Sequence, residues 1–180
     1  MLLNVLPLVL LGALSPTPSA QEAKAGGPPA WILEEEKLPG LAAVGGAMPN
    51  TSLDRSQQRS AAVSDARLKF AQRVETQVKE RALAFHRAAG EKAQGIDLDY
   101  LAKIAGSAAK ALVTGKLGRL NPEKMWNNPD DRSLWVLIQV LPPAADKAMA
   151  ESLATALKDE IAAGHAELAP VLDEVVKAKP

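Results

Sequence analysis

The chain has 180 residues, with 21 Lys and Arg against 21 Asp and Glu, so it carries no formal net charge, and aromatic residues make up only 3% of it. Balanced charge and few rings argue against a dedicated binder of nucleic acid or of an anionic membrane surface, which needs a basic patch and, for single strands, aromatic platforms for the bases. Cysteine is absent, which removes disulfides, thiolate metal sites, thiol catalysis and cysteine-linked lipid together.

The length suits one domain with a hydrophobic core, plus ends. Residues 1–25, MLLNVLPLVLLGALSPTPSAQEAKA, read as a cleaved export signal: a Leu/Val-rich run is followed by a Pro/Ser/Ala stretch with small residues where a signal peptidase cuts. Ala23 and Ala25 fit the Ala-x-Ala pattern, and Ala20 is the competing cut site. The apolar run of residues 2–14 is too short to span a bilayer and is broken by Pro7, so no transmembrane segment is expected after signal removal.

Residues 26–40 read as a flexible lead, ending in an acidic run and the Pro39-Gly40 pair. The domain is expected over residues 41–165. LAAVGGA, residues 41–47, suits a first strand whose glycines allow close packing. Asn50, Thr51 and Ser52 are natural helix caps, and residues 53–90 form the longest helical pattern in the chain. Phe70, Val74, Val78, Ala82 and Phe85, with Val63 and Ala66 behind them, recur at three and four, the period of one buried face; the other face is Arg, Lys, Gln and Glu.

A second helix follows, opened by an Asp of the Asp97-Leu98-Asp99 run, with Leu98, Leu101, Ile104, Ala105, Ala108 and Leu112 as its stripe and Gly115 and Gly118 as its stop. Residues 116–126 are expected to hold a second strand, although Pro122 argues against a regular central one. Asn127, Asn128, Pro129, Asp130 and Asp131 make a turn, and SLWVLIQVL, residues 133–141, is the clearest strand, so two antiparallel strands should meet around Trp126 and Trp135. Pro143 opens a third helix carrying Ala145, Met149, Leu153, Leu157 and Ile161. The tail, residues 166–180, has helical spacing from Pro170 onward. The expected fold is α+β: a small antiparallel sheet packed against the long amphipathic helix and two further helices.

Pro29-Ala30-Trp31, the Ala42-Ala43-Val44-Gly45 strand, the helix from Ala61-Ala62-Val63-Ser64-Asp65-Ala66-Arg67 to Gln77-Val78-Lys79, and Trp126 followed by Trp135-Val136-Leu137-Ile138 together resemble the LPP-twenty lipoprotein family. Its domain is similar to the amino-terminal domain of flagellar assembly protein T. The resemblance covers residues 29–153 and rests on small, apolar and aromatic positions. It implies a compact α+β fold in the periplasm or envelope of a Gram-negative bacterium, without established catalysis. Family members are commonly tethered by a lipidated cysteine, which this chain lacks, and often carry an acidic residue after the tryptophan, where Asn127 and Asn128 stand here.

Ser107-Ala108-Ala109-Lys110 fits S-x-x-K, in which lysine activates a serine nucleophile, but the accompanying S-D-N and K-T-G are missing, so a packed helix with an exposed lysine is the simpler reading. His86 and His165, the two histidines, lie outside any H-E-x-x-H and read as surface residues. Asp97-x-Asp99 lacks the oxygen ligand and glycine of a calcium loop, and Thr114-Gly115-Lys116 lacks the earlier glycine of a phosphate loop. No catalytic, cofactor or metal site is assigned.

The long helix carries Arg55, Arg59, Arg67, Lys69, Arg73, Lys79, Arg81 and Arg87 interspersed with Asp54, Asp65, Glu75 and Glu80. That reads as a mixed solvated face or as a docking face for an acidic envelope partner. Trp31, Trp126 and Trp135 read as one end of the core, with Trp126, beside a polar turn, the candidate interface anchor. Trp126, Arg73 and Arg81 are therefore the candidate interaction surface. A non-catalytic, exported envelope module that binds another protein is the leading expectation; a small-ligand carrier, with an apolar cavity under the long helix, and a serine-lysine hydrolase around Ser107 and Lys110 are the alternatives.

Overall fold

A computed structural model describes residues 27–49, 54–117 and 119–178; residues 1–25, read from the sequence as an export signal, and residues 50–52, read as helix caps, lie outside them. The fold is α+β. Its three-stranded antiparallel sheet has the order β1(Leu41–Ala47), β3(Leu134–Val140), β2(Lys124–Asn127). Around it lie α1(Ala30–Leu33), α2(Arg55–Ala89), α3(Leu98–Leu112), α4(Ala144–Ala162) and α5(Ala169–Lys177).

The long helix starts at Asp54, whose Oδ1 accepts the Gln57 N–H at 2.8 Å and so satisfies one of the orphan donors of the first turn. Its buried positions are Gln58, Ala62, Ala66, Phe70, Val74, Val78 and Ala82, each four residues after the last. A helix turns about 100° per residue, so a step of four advances the stripe by roughly 40° and winds it around the axis. One helix thereby serves two neighbourhoods, lying on β1 and β3 and also packing against α3 and α5. Helix α3 packs on α2 and α4.

The contact between α2 and β1 is unusually close at Gly45. A β-carbon there would overlap the backbone of Ala66 and Ala62, so only glycine lets the helix settle onto the strand. Strand β1 is apolar along its length because both of its faces are covered. Leu41 and Ala43 face the main core with Val136 and Ile138, whereas Ala42, Val44 and Leu137 form a second cluster on the outer face.

That outer cluster corrects the reading of residues 26–40 as a lead. Helix α1 and the 3-10 turn Glu35–Lys37 carry Trp31, Ile32 and Leu38 onto Ala42, Val44 and Leu137, which are at most 2% exposed. An apolar sheet face requires such a cover. The far end differs likewise: Leu168, Val171 and Val175 are buried in the main core, so the domain continues past residue 165 through α5.

Residues 116–126 are mostly not strand. A π turn, Val113–Leu117, ends α3, and β2 begins only after Pro122, at Lys124. The expected pairing does occur, with Trp126 opposite Trp135. Among the described residues, no helix is long and apolar enough to cross a membrane.

Candidate functional site

With the order β1-β3-β2, the sheet has two edges. An edge presents unpaired N–H and C=O groups, so its chemistry depends on what meets them. Along β1 they are met by side chains. Glu35 Oε1 accepts the Val44 N–H at 2.9 Å and Asp65 Oδ2 accepts the Gly46 N–H at 2.9 Å. Lys69 Nζ donates to the Val44 carbonyl at 3.3 Å, and Arg73 Nη1 to the Ala42 carbonyl at 2.7 Å. The four side chains also pair with one another, Lys69 with Asp65 at 2.9 Å and Arg73 with Glu35 at 2.9 Å.

The spacing that makes this possible is simple. Four residues of helix rise about 6 Å and two residues of strand about 6.7 Å, so an antiparallel helix keeps step with every second strand residue. Asp65, Lys69 and Arg73 thus fall opposite Gly46, Val44 and Ala42 in turn. Burial pushes the Asp65 carboxyl up, but the hydrogen bonds from Lys69 and from the Gly46 N–H outweigh it and hold the group below the usual carboxylate range.

The β2 edge has no comparable strap among the described residues. Because Ala42, Val44 and Gly46 turn their backbone groups away from β3, the register directs those of Trp135 and Leu137 toward β2, opposite Trp126 and Lys124. Met125, between them, therefore turns its own N–H and C=O to the open side. Met125 is 49% exposed, and Trp126 is half-buried on the outer face beside Trp135.

The structure does not bring the three sequence-chosen residues together. Arg73 lies at the closed edge in its bonds to Ala42 and Glu35, Arg81 pairs with Asp146 of α4, and Trp126 lies two strands away on β2. Both arginines are occupied in holding α2 to its neighbours. Trp31 and Trp135 pack on the outer cluster, with the Trp135 indole N–H donating to Ser133 Oγ at 3.0 Å.

Ser107 and Lys110 are both exposed on α3. His86 Nε2 lies 3.0 Å from the Ala93 carbonyl at the end of α2. His165 is set against the ring of Tyr100, with Nδ1 3.1 Å from Glu167 Oε1. The Tyr100 hydroxyl donates to Glu160 Oε2 at 2.5 Å, and this bond pushes its pKa up to about 12. Among the described residues, no group of three or more His, Asp or Glu could hold a metal ion.

Sequence reasoning missed Glu35 with Asp65 and Lys69 as an edge strap; it named an apolar cavity under the long helix only as an alternative, without residues, and a hollow of about 350 Å³ there is walled by Phe70, Val113, Leu117 and Ile138 with Arg67 and Arg119 at its rim. A smaller hollow, about 140 Å³, lies beside Asp65 and Lys69. Neither is lined by Ser107 or Lys110. No protein-family model matches the chain, and no curated protein is significantly similar to it.

Proposed function

We propose that this protein is a non-catalytic, exported module of the Gram-negative cell envelope that binds another envelope protein, in keeping with its resemblance to the LPP-twenty family. The observation that carries the reading is the contrast between its sheet edges: four side chains cap β1, while Met125 and Trp126 on β2 stay accessible. An open edge beside a half-exposed tryptophan offers main-chain hydrogen bonds together with a rigid aromatic anchor, the two components of strand addition. Location follows from residues 1–25 read as an export signal.

The test is a crosslinked pull-down of the tagged chain from envelope and soluble fractions, with the mature N-terminus read from the same sample. The expected result is an N-terminus near Gln21 or Gly26 and one enriched envelope protein that is lost on Trp126→Ala, with the variant still folded by thermal unfolding. Recovery of uncleaved chain from the cytosol would overturn the export assignment, and undiminished capture by the folded variant would remove Trp126 from the interface.

A further inference from the structure

Where the π turn Val113–Leu117 ends α3, the helix leaves part of the sheet's inner face without a lid. The hollow there has a floor of Phe70, Leu117 and Ile138, all buried, and a wall of Val113. Among the described residues, the charged ones that line it are Arg67 and Arg119, both exposed. Among the described residues, Arg67 makes a single long contact, Nη2 to the Leu120 carbonyl at 3.5 Å. Among the described residues, neither arginine has a carboxylate within ion-pair distance. The smaller hollow differs in this respect, since its Lys69 and Asp65 neutralise each other at 2.9 Å.

We propose that the larger hollow is a binding site for a small carboxylate with a short apolar tail, such as a free medium-chain acid. Its volume, about 350 Å³, falls within the range of small-molecule sites, roughly 300–1,000 Å³. At about 30 Å³ for each water-sized group it holds roughly a dozen, enough for a carboxylate and a tail of six to eight carbons. The apolar floor offers water few hydrogen bonds, so hydrocarbon displaces it favourably. The rim selects the head group: planar guanidinium forks match a carboxylate and repel a cation. The π turn is itself a form that recurs at functional sites, because its widened backbone opens space that a regular helix fills. The site goes beyond the protein-binding reading, for it lies on the helix side of the sheet, whereas Trp126 lies on the outer face with Trp135.

Calorimetric titration of the full chain with octanoate, below its micelle concentration, tests the proposal against octanol and octylamine, which is protonated at neutral pH. Octanoate should bind, octanol more weakly, and octylamine not at all. Affinity should rise about fourfold per methylene from hexanoate to octanoate. Arg67→Gln combined with Arg119→Gln should lower octanoate affinity at least tenfold. Both side chains are exposed, so the variant should fold, as a thermal melt would confirm. Thr114→Trp, placed on the lining, should plug the site and abolish binding. Methyl resonances of Val113, Leu117 and Ile138 should shift with octanoate, and those of Ala42, Val44 and Leu137 on the outer face should not. Equal binding of octylamine, an unaffected double-arginine variant, shifts on the outer face instead, or no binding of octanoate would each overturn the assignment.

Discussion

The two edges of one small sheet solve the same problem in opposite ways. Strand β1 has seven residues and is capped by Glu35, Asp65, Lys69 and Arg73; β2 has four and relies on its shortness and on the exposed Lys124. The difference shows that a helix can close a sheet edge without contributing a strand. Charged residues at a spacing of four supply three of the four caps, with Glu35 the fourth, provided that the helix runs antiparallel to the strand and close enough for short side chains such as Asp65 to reach. Closeness is the demanding condition. Gly45, with Ala62 and Ala66 above it, supplies it.

The largest expected effect therefore comes from lifting the helix. Gly45→Val places side-chain carbons where the Ala62 and Ala66 backbone already lies, and backbone cannot move aside as a flexible side chain can. The expected loss is about 3 kcal/mol, at the upper end for overpacking, measured as a lowered urea midpoint. The strap should fail at the same time, because Asp65, Lys69 and Arg73 are all carried on α2. A midpoint within experimental error of the wild type would mean that the helix does not need this contact.

A smaller effect is expected from cutting one strand of the strap. Asp65→Ala leaves the Gly46 N–H without its acceptor and the Lys69 ammonium with only the longer bond to the Val44 carbonyl, a loss of about 1–3 kcal/mol at neutral pH. The pH dependence sharpens it. The Asp65 carboxyl is held below its ordinary value of 3.8, so between the two values the folded protein binds fewer protons than the unfolded chain. Its contribution is complete above the ordinary value and is lost as pH falls through the depressed one. The stability gap between wild type and variant should thus be constant from neutral pH to about 5 and close under stronger acid. Asp131 and Glu167, which hydrogen bonds also hold low, are common to both proteins and cancel in the difference. A gap that persists in strong acid would mean that the contact does not depend on the charge.

How much of this was legible follows from the range of each signal. The apolar repeat of α2, the β-branched run of β3 and the spacing of Leu168, Val171 and Val175 are local, and each marks the element it belongs to. Trp126 announces its half-exposure through the polar turn that follows it. The strap is written at a visible spacing, but Asp65, Lys69 and Arg73 four apart also describe an ordinary solvated helix face with i,i+4 ion pairs. What distinguishes the two is an edge strand alongside, and that is a tertiary fact. Glu35 is harder still, since it acts only where a three-residue 3-10 turn with no repeat of its own brings it against Val44 and Arg73. The hollow depends on how a π turn ends α3, and Gly115 signals only that the helix stops.

The smallest effect on stability, and the most informative about partners, is expected at the open edge. Proline removes one N–H, and what that costs depends on where the N–H points. At Met125 it points away from β3, so Met125→Pro should lower stability by no more than about 1 kcal/mol, because no ladder bond is lost. The same change at Val44 removes the N–H that Glu35 accepts, and should cost more even after the buried side chain is allowed for with Val44→Ala as its reference. Unfolding curves of the two variants side by side would show whether the edges differ as their hydrogen bonds indicate. Pull-downs with Met125→Pro then separate two ways of using β2. If capture of an envelope partner disappears while the fold persists, the partner adds a strand through the Met125 backbone; if capture persists but is lost with Trp126→Ala, the partner docks on the outer face and leaves the edge unused.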